Sequence, residues 1–175
     1  MLPPVPEIVT DRLILRGHRL DDLADCEALW GDPEVVRYIS GQPSTPEDTW
    51  ARVLRLVGHW SVMGFGYWVV RERDGGGFVG QVGLADFRRE LEPSFEGAPE
   101  AGWVLSPRVH GLGYATEAVG AALAWADRAL EAPRIVCLIH PDNRASLAVA
   151  ERSGFSEYAR TTYKGEPTVL LERRK

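Results

Sequence analysis

The stretch from Arg108 to Glu117, Arg-Val-His-Gly-Leu-Gly-Tyr-Ala-Thr-Glu, decides how this chain is read. Before it, Ala101, Trp103, Val104 and Leu105 predict a short buried strand. After it, Val119, Ala122, Ala126 and Leu130 recur at helical spacing with Leu123 beside them. A strand therefore runs into a glycine loop that opens a helix. The first amides of a helix lack partners within it and the macrodipole adds partial positive charge there, while Gly111 and Gly113 let a ligand approach the backbone without a Cβ in the way. Arg108 adds a full charge at the rim. Taken alone, the same residues also suit a tight turn with no ligand. No Gly-Lys-Ser/Thr follows, which argues against nucleoside triphosphate hydrolysis. A dinucleotide fingerprint fits poorly, because Thr116 stands at the third glycine and too little chain follows Asp142 to complete a doubly wound sheet.

At 175 residues the chain is read as one domain, 1–175, with 45% hydrophobic and 26% charged residues, the balance of a soluble globular protein. No apolar run approaches the roughly 20 residues that cross a bilayer, and the start, Met-Leu-Pro-Pro-Val-Pro-Glu, lacks the features of a signal peptide. The expected compartment is the cytoplasm, with no membrane partner. Cys26 and Cys137 match no metal or redox spacing and are expected to be reduced, Cys137 in a strand. A net charge of -5 argues against nucleic acid as a partner and leaves room for a cationic one.

Along the chain, Thr10 to Arg16 predicts the first strand. Asp21 or Asp22 can cap a helix to about Trp30, Pro33 opens a short turn, and Thr45-Pro46 starts a second helix to about His59. Trp30, Trp50 and Trp60 on or beside these helices suit either core or a pocket wall. Phe65–Arg71 and Phe78–Leu84 form a hairpin around Asp74-Gly75-Gly76-Gly77. A polar stretch from Phe87 to Pro99 carries Glu90, Glu92 and Glu96 and reads as a solvated loop or an acidic lip that draws in an amine. The helix from about Tyr114 to Leu130 leads into the strand Arg134–His140, which implies a parallel pair in an α/β arrangement. Asn143 begins another helix that stops at Gly154-Phe155, and Tyr158 to Arg173 gives two last strands around Lys164-Gly165-Glu166-Pro167.

Three segments resemble one family. The pattern Arg108-x-x-Gly111-x-Gly113 resembles the pyrophosphate-binding segment of the GNAT acetyltransferases. Thr10-Asp11-Arg12-Leu13 resembles the start of their ribosomal-protein N-terminal (RimJ/RimL-like) branch, and Asn143-x-x-Ser146 with Gly154-Phe155 follows at the family's distance. The resemblance implies a mixed, mostly antiparallel sheet whose central parallel pair splays around acetyl-coenzyme A, with flanking helices and no metal. It implies pyrophosphate on the amides from Val109 through His110, Gly111, Gly113 and Tyr114 to Ala115, near Arg108, and a pantetheine arm pairing along Val104 and Leu105. Asn143 and Ser146 would complete the cofactor site.

The implied activity is acetyl transfer to a primary amine, a protein N-terminus or a small molecule, by direct attack on the thioester, with an amide near Leu105 stabilising the oxyanion. An α-amine is roughly one-tenth neutral at pH 7 and needs only a weak base. Glu100 is the first candidate, its other reading being a strand-end surface carboxylate. Glu117, one turn into its helix, suits a structural hydrogen bond or the dipole. The position at which many family members carry an acidic tyrosine is Ala150 here. Ser146, one turn earlier, is the candidate for a hydrogen bond to the sulfur, with Tyr158 and Tyr163 as substitutes, while Asn143 capping its own helix explains the same pair without chemistry. His110 and His140 are expected to be structural. That missing tyrosine also fits a non-catalytic acyl-coenzyme A binding or sensing module. Homodimers are common among relatives, although no interface can be read from these residues.

Overall fold

The computed structural model describes residues 4–175. Strands β1 (Ile8–Val9), β2 (Leu13–Arg16), β3 (Tyr67–Glu72), β4 (Phe78–Ala85), β5 (Glu100–Leu105), β6 (Arg134–Ile139), β7 (Ser156–Tyr163) and β8 (Glu166–Arg174) form one sheet in the order β1-β2-β3-β4-β5-β6-β8-β7. Every pairing is antiparallel except β5 with β6. Helices α1 (Leu23–Trp30), α2 (Pro33–Val36), α3 (Pro46–Met63), α4 (Tyr114–Ala129) and α5 (Arg144–Arg152) cover it.

Alternation along the strands sorts the two faces. Leu13, Leu15, Trp68, Val70, Val82, Leu84 and Ala101 share a buried cluster with Val119, Ala122, Leu123 and Ala126 of α4. The same side holds three indoles in edge contact, Trp60, Trp68 and Trp125, with centroids 4.9 to 5.5 Å apart. The opposite face meets α1 and α3 through Tyr67 and Ala85 against Leu56, and through Val104 against Trp30. Trp60 and Trp30 are thus buried, as core residues would be, whereas Trp50 is 41% exposed.

Three local expectations are corrected. The first strand is broken: Thr10 to Arg12 make a turn, closed by a 2.9 Å bond from the Thr10 amide to the Leu13 carbonyl, that lets β1 fold back on β2. Asp22 makes no side-chain cap for α1; it is 1% exposed and held by Arg16 at 2.8 Å and Arg71 at 2.7 Å. The 87–99 stretch is not merely solvated, because Leu91 and Phe95 are buried against Val136 and Leu170. Elsewhere the elements differ by a few residues at most, as with α3, which runs four residues past His59 to the left-handed cap at Gly64. Thr45 caps that helix through the Asp48 amide, and the Asp48 carboxylate returns bonds of 2.8 and 3.1 Å.

Candidate active site

The parallel pair is joined at one point. Glu100 registers with Val136, and beyond it β5 stays with β4 while β6 pairs along its length with β8. A cleft therefore opens toward the carboxyl ends of the two strands, which is where ligands bind in open α/β sheets. The Ser106 amide bonds the Val79 carbonyl at 2.8 Å, so alternation turns Val104 and Gly102 toward β4, and Ala101, Trp103 and Leu105 toward the cleft. The expectation for Val104 is corrected on this ground: its backbone faces β4 and its side chain packs under Trp30. Trp103 stands in its place beside Leu105, whose carbonyl is met by His110 Nε2 at 3.2 Å.

After β5 the chain makes a one-turn 3-10 helix at Pro107–Val109 and reaches α4 through Gly111 and Gly113, both at φ 78°. That left-handed value is what requires glycine, since a Cβ on Gly111 would meet nothing within 4 Å. Val109 and His110 spend their amides inside the turn. Among the described residues the amides of Gly111, Gly113, Tyr114, Ala115 and Thr116 find no acceptor. A row of orphan donors at a helix N-terminus fits a diphosphate. Arg108 is partly committed, donating to the Phe78 carbonyl at 2.9 Å and lying 3.4 Å from Glu72. Glu117 pins the first turn of α4 to the β1–β2 turn through Thr10 at 2.7 Å and Arg12 at 2.6 Å; burial pushes its carboxyl up, but these partners hold it below the usual range.

At the same end of β6, the Asn143 side chain accepts from the Ser146 amide at 3.2 Å and so caps α5. Ser146 is half-buried, and Ala150, one turn on, is fully buried. Glu100 lies at the closed end, about 17 Å from Leu105 along the strand. It is 5% exposed and gripped by Arg89 through bonds of 2.6 and 2.7 Å. Burial raises its pKa above the ordinary carboxylate range, with the guanidinium pulling the other way. It is therefore no surface carboxylate. It lines a cavity of about 340 Å³ together with Ala85 to Arg89 and Ser94 to Ala98. Tyr163 joins this neighbourhood, its hydroxyl 3.4 Å from Arg89, whereas among the described residues the buried Tyr158 hydroxyl makes no hydrogen bond.

Three side chains that the sequence reading did not single out complete this face. Tyr67 pairs across to Gly83, which pairs to Gly102, and a Cβ on Gly102 would collide with the Tyr67 hydroxyl. Two glycines in register inside strands are a signal for such an overlying ring. Arg52 of α3 lies 3.7 Å over the Trp30 ring. The third is Arg89. Two histidines are engaged by the backbone: His59 bridges the Phe65 carbonyl at 2.6 Å and the Asp86 amide at 2.9 Å, and His140 accepts from the Asp142 amide at 3.1 Å. Cys26 and Cys137 are buried and unpaired.

The family model described as Acetyltransferase (GNAT) domain matches residues 12–156. The chain is 30% identical over 175 residues to the uncharacterized protein YkkB of Bacillus subtilis (strain 168), covering 96% of this chain and 95% of that protein. The crystal structure of an acetyltransferase from Agrobacterium tumefaciens str. C58 superposes with a TM-score of 0.84 at 27% identity, covering 100% of this chain and 98% of that one. Likeness of fold alone extends to a spermidine N-acetyltransferase from Vibrio cholerae in complex with CoA and spermine, with a TM-score of 0.75 and 18% identity over 94% and 96% of the two chains.

Proposed function

The chain belongs to the GNAT acetyltransferase family and is an acetyl-CoA-dependent acyltransferase, and from that premise we propose that it acetylates a primary amine by direct attack, with the glycine loop holding the diphosphate of the donor. The observation that carries this reading is the set of unpaired amides at Gly111 and from Gly113 to Thr116, among the described residues, at the mouth of a cleft whose β5 edge can pair with an amide-rich arm. Leu105 and Trp103 offer that edge.

The donor supplies a thioester carbon. The amine nitrogen forms the new C–N bond there as the C–S bond breaks, and the pair of electrons leaves on sulfur. An outward amide of β5 stabilises the transient oxyanion. The proton lost by the amine goes to Glu100, directly or through water. A carboxylate has about four acceptor sites and Arg89 occupies two, so acceptor capacity remains, and burial has moved the group toward the basicity a general base needs. Ser146 donates to the departing sulfur, Ala150 having no proton to give.

The test is to incubate the protein with acetyl-CoA and a panel of primary amines and to follow free thiol. Turnover on at least one amine is expected. Binding of acetyl-CoA with no thiol released from any of them overturns the reading in favour of a sensing module.

A further inference from the structure

The α1/α3 face of the sheet carries a guanidinium with no acid to match it. Among the described residues Arg52 makes no ion pair, and its Nε is buried without a hydrogen-bond partner. Asp48, one turn earlier on α3, is the nearby acid, and its carboxylate is taken up by the Thr45 cap. Arg55, the next residue on that helix face, adds a second cation, 5.3 Å over the ring of Phe87. Arg52 is half-buried and its Nε fully so, and a partly desolvated cation kept without an acid is a place that an anion from outside can fill.

Its place in the fold says which anion. Trp30, under Arg52, is fixed by a 2.8 Å bond to Gln81 and packs on Val104 of β5. Two residues back along the same face, Gly102 lies under the Tyr67 hydroxyl, and two further back Glu100 lines the cavity that Phe87 also lines. Anion site and proton acceptor thus lie along one strand, about 13 Å apart between Glu100 and Val104 Cα atoms. An acceptor that reaches both must therefore carry its amine and its anionic group on opposite ends of a chain of several carbons. The guanidinium carbon lies 3.7 Å over the Trp30 ring, and the paired N–H donors of a guanidinium match the two oxygens of a carboxylate.

We propose that the acceptor is a small primary amine that also bears a carboxylate, its amine directed to Glu100 and its carboxylate to Arg52. This rests on the acetyltransferase reading above and narrows it: a polyamine would set cation against Arg52 and Arg55.

The experiment compares kcat/KM for matched pairs of acceptors, ω-amino acids of increasing chain length and their carboxamides, with spermidine and a phosphorylated primary amine as further arms. The carboxylates should be preferred about tenfold to a hundredfold over the carboxamides. Arg52→Gln should collapse that ratio, and Arg52→Lys should retain part of it. Carboxamides or spermidine used as well as the carboxylates, the phosphorylated amine used best, or a preference that survives Arg52→Gln would each overturn the proposal while leaving acetyl transfer intact. Should Arg52→Gln fail to fold, the wild-type ratios decide. Thiol release from no amine at all would sink the acetyltransferase reading and this inference with it.

Discussion

Gly111 and Gly113 carry two demands at once, a left-handed backbone and an open approach to amides, and substitution can separate them. At Gly111 a side chain has room and only φ opposes it. Asn and Asp both tolerate the left-handed region and have nearly the same shape, so they differ there by one negative charge. Gly111→Asn is expected to keep most of the affinity for coenzyme A, and Gly111→Asp to weaken it at least about tenfold further, about 1.4 kcal/mol, by titration calorimetry. Equal affinities would remove the anion from the loop. Glycine types and spacing made this loop visible from the sequence. Glu100 was visible only as a carboxylate at a strand start, because the residue that grips it, Arg89, comes from a loop with no pattern of its own.

At the scale of the element, α5 is aimed by one hydrogen bond. Asn143 Oδ1 satisfies the Ser146 amide, so the residue that starts the helix also sets where the Ser146 hydroxyl stands. Asn143→Ala should cost about 1 kcal/mol of stability, seen as a lower urea midpoint, and should lower turnover as the first turn frays. Ser146→Ala leaves the cap in place and should lower kcat more than it raises the KM for acetyl-CoA; the opposite split would make the serine a binding residue only. Elements of this kind were legible because caps and periodicity are local: Thr45-Pro46, Asn143 and the triglycine turn each announce themselves. The β1–β2 turn was not, since Thr10 and Arg12 are held in it by Glu117, more than a hundred residues away in sequence. Asp22 looked like a cap for the same reason. Its true partners, Arg16 and Arg71, belong to strands that only the folded sheet brings together.

For the whole molecule, that buried charge cluster and its neighbour His18 set the response to acid. Burial lowers the His18 pKa to about 4 against an ordinary value of about 6.5, Asp22 pulling it up and Arg16 down. The imidazole is neutral in the folded chain, and its Nε2 accepts from Gln81 at 2.8 Å within the same polar network that fixes Trp30. The unfolded chain binds the extra proton first, so the stability this group contributes is complete above about pH 6.5 and is lost as pH falls toward about 4. Asp22 acts lower. Burial alone would raise it, but Arg16 and Arg71 hold it at about 2, so its contribution is present above about pH 3.9 and vanishes as pH drops through about 2. Acid should therefore weaken the fold in two stages, the first worth on the order of 2 kcal/mol between pH 7 and pH 5. His18→Gln keeps an acceptor for Gln81 and removes the titration, so urea unfolding of this variant should show the first loss abolished between pH 7 and pH 5, while the second persists between about pH 4 and about pH 2. The same slope in both proteins would mean that His18 is already solvated, and that the network beneath Trp30 and Arg52 is open to water.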